Sequence, residues 1–182
     1  MALKATIFKA ELQVADMDRH HYADYSLTLA RHPSETDERM MVRLAAFALN
    51  ASERLAFGKG LSTEDEPDLV AKDLTGAIEL WIDVGLPDPR DVRKACGRAA
   101  AVRVYTYGRG AGLWWEQNRD ALERCDNLAV FDLPAGATQA LAALAERTMR
   151  LQCTIQDGHL WLTDGERTAE VVPVAVKAPA GR

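Results

Sequence analysis

The chain has 182 residues, 48% of them hydrophobic and 27% charged, which is the balance of a globular domain and excludes an intrinsically disordered protein. Its formal net charge of -5 argues against non-specific nucleic-acid binding through a broad basic surface. No apolar stretch approaches the roughly 18 residues of a membrane-spanning helix, and Met1 to Glu11 alternates like a strand rather than a signal peptide.

The first third of the chain predicts two strands and a helix. Residues 5–14 and 22–30 each alternate between apolar and polar side chains, and the polar residues between them predict a turn. Ser34 is a suitable N-cap for a helix that carries its apolar residues at helical spacing as far as Ala51. Glu53 then lies at or just beyond the end of this helix.

Two further strands are predicted at 68–73 and 77–84, joined by a short turn that contains glycine. The second strand alternates sharply, so that Glu79, Trp81 and Asp83 point to the face opposite that of its aliphatic residues. Two carboxylates and a large aromatic side chain therefore share one face of the predicted sheet.

The rest of the chain alternates between strands and helices. Asp88 and Pro89 are suitable as the N-cap and first residue of a helix, and Asp157-Gly158 is a typical hairpin turn. Strands are predicted at 101–107, 128–133, 151–156, 159–163 and 171–176, and helices at 111–124 and 138–147. This order predicts an α/β (α+β) fold, a mixed β-sheet flanked by helices, in a single domain of residues 1–182 whose tail at 177–182 is flexible.

Three cysteines, Cys96, Cys125 and Cys153, are far apart in the sequence and form no CxxC pair. An odd number of cysteines argues against a disulfide framework and favours a cytoplasmic protein. We interpret the three residues as small buried hydrophobic side chains.

Charge is unevenly distributed along the chain. Residues 90–109 contain six basic residues and one acid, whereas residues 64–68 contain four acids and no base. An acidic cluster beside a basic one is suited to binding a metal ion and a phosphate, although solvated surfaces that partly pair are the commoner outcome.

The acidic residues resemble the layout of the PD-(D/E)xK nuclease core. In that layout Glu53 would be an acid contributed by a helix, Asp68 would follow Pro67 at the start of a strand, and Asp83 would lie on the next strand. Carboxylates so placed are the ligands that Mg²⁺ prefers, and Glu79 shares the face of Asp83. The sequence departs from the layout at Gly85, where a lysine is expected.

Three basic residues are candidates to replace the missing lysine. Lys94, with Arg93 beside it, lies on the following helix, but its position on the helical wheel faces solvent unless the side chain wraps back. Lys72 shares the strand parity of Asp68 and is a second substitute.

Longer segments carry a more specific resemblance, collinear over about nine-tenths of the chain. They are LTLARHPSETDERMMVRLAAFAL, ERLAFGKGL, IELWIDVGLPD, RKAC, WWEQN and LQCTIQDGHLWL. Together they resemble the YaeQ family of bacterial proteins. The resemblance implies a variant of the PD-(D/E)xK fold in which Gly85 belongs to the family pattern, and it supports that fold more strongly than catalysis.

Two functional hypotheses follow. In the first, the protein is a Mg²⁺-dependent nuclease or phosphodiesterase: Asp68 and Asp83 bind the metal, Glu79 or Glu53 adds a ligand or base, and Lys94 or Lys72 contacts phosphate. In the second, it is a non-catalytic module derived from the nuclease fold that binds a nucleic acid or a protein. Both assume a monomer without a membrane association.

Overall fold

The computed structural model describes residues 4–58 and 66–180. Within these ranges the strands are β1 (Thr6–Asp16), β2 (His21–Arg31), β3 (Leu55–Phe57), β4 (Leu69–Lys72), β5 (Ile78–Val84), β6 (Ala99–Tyr107), β7 (Leu128–Leu133), β8 (Thr148–Gln156), β9 (His159–Thr163), β10 (Thr168–Val171) and β11 (Val174–Lys177). The helices are α1 (Asp37–Leu49), α2 (Pro89–Arg98), α3 (Ala111–Leu122) and α4 (Ala135–Ala143). No helix in the described ranges is long and apolar enough to cross a membrane.

The strands form two mixed sheets. The first has five strands in the order β10-β9-β8-β1-β2, and the second has six in the order β11-β7-β6-β5-β4-β3. In the first sheet β1 runs parallel to β8, and in the second β5, β6 and β7 run parallel to one another. The predicted mixed α/β architecture is confirmed, with the strands divided between two sheets.

Helix α1 is buried on all sides because it lies in a core formed by both sheets and α4. Every residue from Met40 to Ala48 is buried, and these residues share one hydrophobic cluster with strands of both sheets. A helix that is enclosed in this way needs apolar side chains all round rather than in a single stripe.

A second hydrophobic cluster covers the other face of the six-stranded sheet. Trp81, Val104 and Val130 of the sheet pack there with Val92 of α2 and Trp114 of α3. The parallel strands β5, β6 and β7 are therefore covered on both faces, which is the usual environment of parallel strands.

Helix α1 begins later than the sequence analysis predicted. The N-cap is Thr36, whose hydroxyl accepts a hydrogen bond from the Arg39 N–H at 3.1 Å. Ser34 was predicted for this role and is wrong, because its hydroxyl is instead hydrogen-bonded to Nδ1 of His32 at 2.8 Å.

The predicted strand at 171–176 is in fact two strands that belong to different sheets. β10 ends at Val171 and pairs with β9, whereas β11 begins at Val174 and pairs with β7. Pro173 lies between them, and a proline has no N–H with which to continue a strand ladder.

The short strand β3 was not predicted, and helix α4 begins at Ala135 rather than Thr138.

Candidate functional site

Asp68 and Asp83 meet at one end of the antiparallel pair of β4 and β5. Leu69 pairs with Ile82, which sets Asp68 opposite Asp83. The Asp68 N–H donates to Asp83 Oδ1 at 3.3 Å, and the Val84 N–H donates to Asp68 Oδ2 at 2.9 Å. Only 1% of Asp68 and 4% of Asp83 is exposed. The two carboxylates are therefore neighbours in a largely dry environment.

Asp68 has a cationic partner from α1. Nη2 of Arg39 is 3.0 Å from each carboxylate oxygen of Asp68. Nη1 of Arg39 donates to Glu35 at 2.6 Å, and the buried Arg43 donates to both oxygens of the same Glu35. This chain of charges, from Arg43 through Glu35 and Arg39 to Asp68, anchors the start of α1 to β4.

No arginine or lysine of the described residues is hydrogen-bonded to Asp83 in this way. Its hydrogen-bond donors among the described residues are the Asp68 N–H and the Trp81 indole, whose Nε1 is 3.0 Å from Asp83 Oδ2. Burial, and then the charge of Asp68, raise the pKa of Asp83 to about 7. Burial also raises the pKa of Asp68, although Arg39 opposes this. The pair thus carries a negative charge that only a proton or another cation can neutralise.

The carboxylate of Asp83 opens into a polar cleft of about 470 Å³. The lining residues come from α1, the end of β5, the loop that leads into α2, α2 itself and β6; they are Arg39, Asp83, Val84, Gly85, Leu86, Pro87, Asp88, Asp91 and Tyr107. Asp88 caps α2 through the Arg90 N–H at 2.9 Å, as predicted. The cleft therefore combines three aspartates with one arginine.

Gly85 lies where the resemblance to the nuclease layout would require a lysine. Its φ of 91° is in the left-handed region, where a lysine backbone would be strained. A Cβ added there would meet no atom within 4 Å. The backbone turn after β5, rather than lack of space, therefore disfavours a side chain at this position.

Asp68 lies behind Asp83 and does not itself line the cleft, and neither do the other predicted site residues. Glu79 is exposed and forms a surface ion pair with Arg54 at 3.2 Å. Glu53 is exposed in the turn that follows α1. Lys94 is exposed on α2. The remaining candidates, Lys72 and Arg93, are also exposed, and Glu64 and Asp65 of the acidic segment lie outside the described residues.

The nuclease resemblance implies that a Mg²⁺ ion is bound at this site. In the described ranges, no three His, Cys, Asp or Glu side chains are grouped so as to hold a metal ion. Two adjacent buried carboxylates are present, and one of them faces the cleft without a cationic partner among the described residues. This donor chemistry fits a hard cation held by two aspartates and water, which is how Mg²⁺ is commonly bound.

Sequence reasoning missed Arg39, the cation nearest the aspartates, together with Glu35, Arg43 and Tyr107. The available signal was the four-residue spacing of Glu35, Arg39 and Arg43, together with the apolar run that surrounds Arg43. Charges on such a buried helix must be paired, so their spacing indicates an internal ion-pair network.

Comparison with known proteins identifies the family. Residues 1–173 match the family model described as YaeQ protein. The uncharacterized protein YaeQ of Escherichia coli K12 is 49% identical over 181 residues, covering 99% of this chain and all of the relative. The chain belongs to the YaeQ family.

Crystal structures of YaeQ proteins share the fold described above. The YaeQ protein of Xanthomonas axonopodis pv. citri has a TM-score of 0.92 at 50% identity, covering 96% of this chain and 99% of that one. The YaeQ protein of Pseudomonas syringae has a TM-score of 0.91 at 34% identity, covering 97% and 98%. The two-sheet arrangement is therefore the YaeQ fold.

Proposed function

We propose that the cleft binds a divalent cation and a phosphodiester, which makes this YaeQ protein a metal-dependent phosphodiesterase of the PD-(D/E)xK type. The observation that carries this proposal is the pair of adjacent buried carboxylates, of which Asp68 is bonded to Arg39 and Asp83 is not. The order of Pro67-Asp68 and Asp83 supports the link to the nuclease layout, from which Gly85 departs.

Asp83 and Asp68 are the residues that would hold the ion. A bound divalent ion lowers the pKa of a coordinated water and offsets charge on the phosphate. Trp81 orients the Asp83 carboxylate through its indole N–H, and the Val84 N–H orients Asp68. Both carboxylates are therefore already oriented to bind the ion, and their side chains would not have to rearrange.

Arg39 supplies the positive charge that the motif lysine supplies elsewhere in the PD-(D/E)xK layout. It lines the cleft beside Asp83, and its guanidinium is suited to binding phosphate oxygens. Glu35 holds it in place from the protein side. Glu79, Glu53 and Lys94 have no part in this proposal because they are exposed, whereas Asp68 lies buried beside Asp83.

A second candidate function rests on a different observation. Arg39 already donates to both oxygens of Asp68, and Gly85 offers no side chain to the cleft. Such a site is suited to a non-catalytic module that binds a nucleic acid or a protein. We propose a cytoplasmic location and a monomer for either candidate.

The first test is calorimetric titration of the protein with Mn²⁺ and Mg²⁺ at pH 7.5. We expect binding to the native protein, no binding to Asp83→Asn, and native binding to the matched control Glu79→Gln, which alters an exposed carboxylate of the same strand. Because protons compete for Asp83, affinity should fall by up to about tenfold per pH unit below pH 7. Equal binding by native protein and Asp83→Asn would contradict the proposal.

A cleavage assay separates the two functions. Labelled single- and double-stranded DNA and RNA oligonucleotides are incubated with the protein and Mn²⁺ or with EDTA. Cleavage that needs both Mn²⁺ and Asp83 supports the phosphodiesterase. If the protein binds the metal and an oligonucleotide but cleaves none of these substrates, the binding module is favoured.

A further inference from the structure

A second cavity lies on the outer face of the five-stranded sheet, and it shares no lining residue with the cleft. Its volume of about 410 Å³ is typical of small-molecule sites. The lining residues come from β1, β2, β8, the end of β9 and the turn after β9. Asp164 fixes this turn, because its carboxylate accepts hydrogen bonds from the N–H groups of Glu166 at 2.9 Å and Arg167 at 2.7 Å. The cavity is therefore formed by strands and a tight turn.

The register of the sheet brings four polar side chains into this cavity. Gln13 and Gln152 are partners in the parallel pair of β1 and β8, and Asp24 of β2 is opposite Gln13. Arg150 is two residues before Gln152 and therefore on the same face of β8. All four residues are exposed and line the cavity. One carboxylate, one guanidinium and two amides thus converge on one space.

The hydrogen-bonding groups of these four side chains are available to a ligand. None of the four has a side-chain hydrogen bond or an ion pair with another described residue. Other polar groups of the lining are already engaged: Glu11 accepts a hydrogen bond from the Ser26 hydroxyl at 2.7 Å, and the Thr163 hydroxyl donates to the Arg167 carbonyl at 2.8 Å. The free donors and acceptors are therefore concentrated on the central strands.

The charges that line the cavity favour a neutral ligand. Glu11 is adjacent to Arg150 in the register of β1 and β8, and the Asp164 carboxylate is 3.6 Å from the guanidinium of Arg167. An anion would meet the carboxylates, and a polycation would meet Arg150. Leu12 and Leu151 also belong to the lining, but they are buried in the core and offer no apolar wall to a ligand. The cavity is thus suited to a small, neutral and strongly polar molecule.

We propose that this cavity binds a neutral monosaccharide or disaccharide. Each hydroxyl of a sugar both donates and accepts hydrogen bonds, and two neighbouring hydroxyls can pair with the two polar atoms of one carboxylate, amide or guanidinium. Asp24, Gln13, Gln152 and Arg150 all carry planar groups of this kind. The proposal does not depend on the proposed function, because the two sites have no residue in common.

NMR titration of the ¹⁵N-labelled whole chain tests the proposal. The side-chain amide signals of Gln13, Gln152 and Gln156 are assigned from the three Gln→Ala variants. Gln156 is a matched reference because it is exposed on the same face of β8 and does not line the cavity. Glucose, galactose, mannose, maltose, cellobiose and lactose are each added to about 100 mM, because a few exposed hydrogen bonds give millimolar affinity.

We expect at least one of these sugars to shift the Gln13 and Gln152 signals saturably and to leave the Gln156 signal unchanged. Gln152→Ala and Asp24→Ala should each weaken binding of that sugar about threefold to tenfold, and Gln156→Ala should not change it. The proposal is overturned if none of the six sugars gives a saturable shift, or if Gln156 responds as Gln13 and Gln152 do. Saturable shifts with spermidine or inorganic phosphate, and not with a sugar, would also overturn it.

Discussion

The two aspartates of the cleft differ in what balances their charge. Asp68 has Arg39, whereas Asp83 has neutral hydrogen-bond donors and the negative charge of Asp68 beside it. When the pKa of a carboxyl group is higher in the folded than in the unfolded state, protonation of that group favours the folded state. Asp83 therefore stabilises the protein at acidic pH, and this contribution is lost as the pH rises through about 7.

We expect the Asp83→Asn variant to remove this pH dependence, since asparagine cannot ionise. At pH 8 the variant should be more stable than native protein by a free energy of unfolding on the order of 2–4 kcal/mol, and at pH 4 the two should be similar. Urea unfolding from pH 4 to pH 8 measures the difference. Curves for native protein and variant that run parallel over this range would show that Asp83 ionises normally.

The Glu35 carboxylate accepts hydrogen bonds from two arginines, Arg39 and Arg43. Replacing Glu35 with leucine leaves the buried Arg43 without its carboxylate and takes one partner from Arg39. Replacing Arg43 with leucine leaves Glu35 paired with Arg39. We therefore expect Glu35→Leu to lower the free energy of unfolding by about 3–5 kcal/mol and Arg43→Leu to lower it by less.

Urea unfolding of the two variants checks this order. Glu123→Leu is a suitable control because the pair of Glu123 with Arg119 is at the surface, with half or more of each side chain exposed, and should contribute at most about 1 kcal/mol. A larger loss for Arg43→Leu than for Glu35→Leu would mean that the network is not centred on Glu35.

At the scale of elements, the N-terminus of α1 shows how a cap is selected. Thr36 caps the helix, and Ser34, two residues earlier, does not. We expect Thr36→Ala to lower the free energy of unfolding by about 1 kcal/mol, because the Arg39 N–H loses its acceptor. Ser34→Ala should change it by less than about 0.5 kcal/mol. Thermal unfolding of both variants tests this, and equal losses would place the cap elsewhere.

Most elements could be predicted from periodicity because each carries its own signal. The approach of Asp68 to Asp83 was also predictable, since a short turn joins β4 to β5 and fixes which residues oppose each other. The contact of Arg39 with Asp68 was not, because it depends on how α1 packs across a distant strand. Strand parity likewise placed Glu79 on the face of Asp83 without showing that Glu79 remains at the surface.

At the scale of the whole molecule, α1 packs against both sheets, and its side chains join the two sheets in one hydrophobic core. The sequence predicted the helices and strands but not their division between two sheets, since parity within a strand says nothing about which sheet it joins. Pro173 was a local signal for the break between β10 and β11, although a single strand was predicted at 171–176.

The parallel pairing of β1 with β8 has a consequence for how the chain is made. Lys9 pairs with Thr148 and Asp16 with Ile155, so the centre of the five-stranded sheet joins segments from opposite ends of the chain. Pairing over such a distance cannot begin until β8 has been synthesised. Until then the edge of β1 that later pairs with β8 has no partner, and we expect this hairpin to be prone to aggregation in the nascent chain.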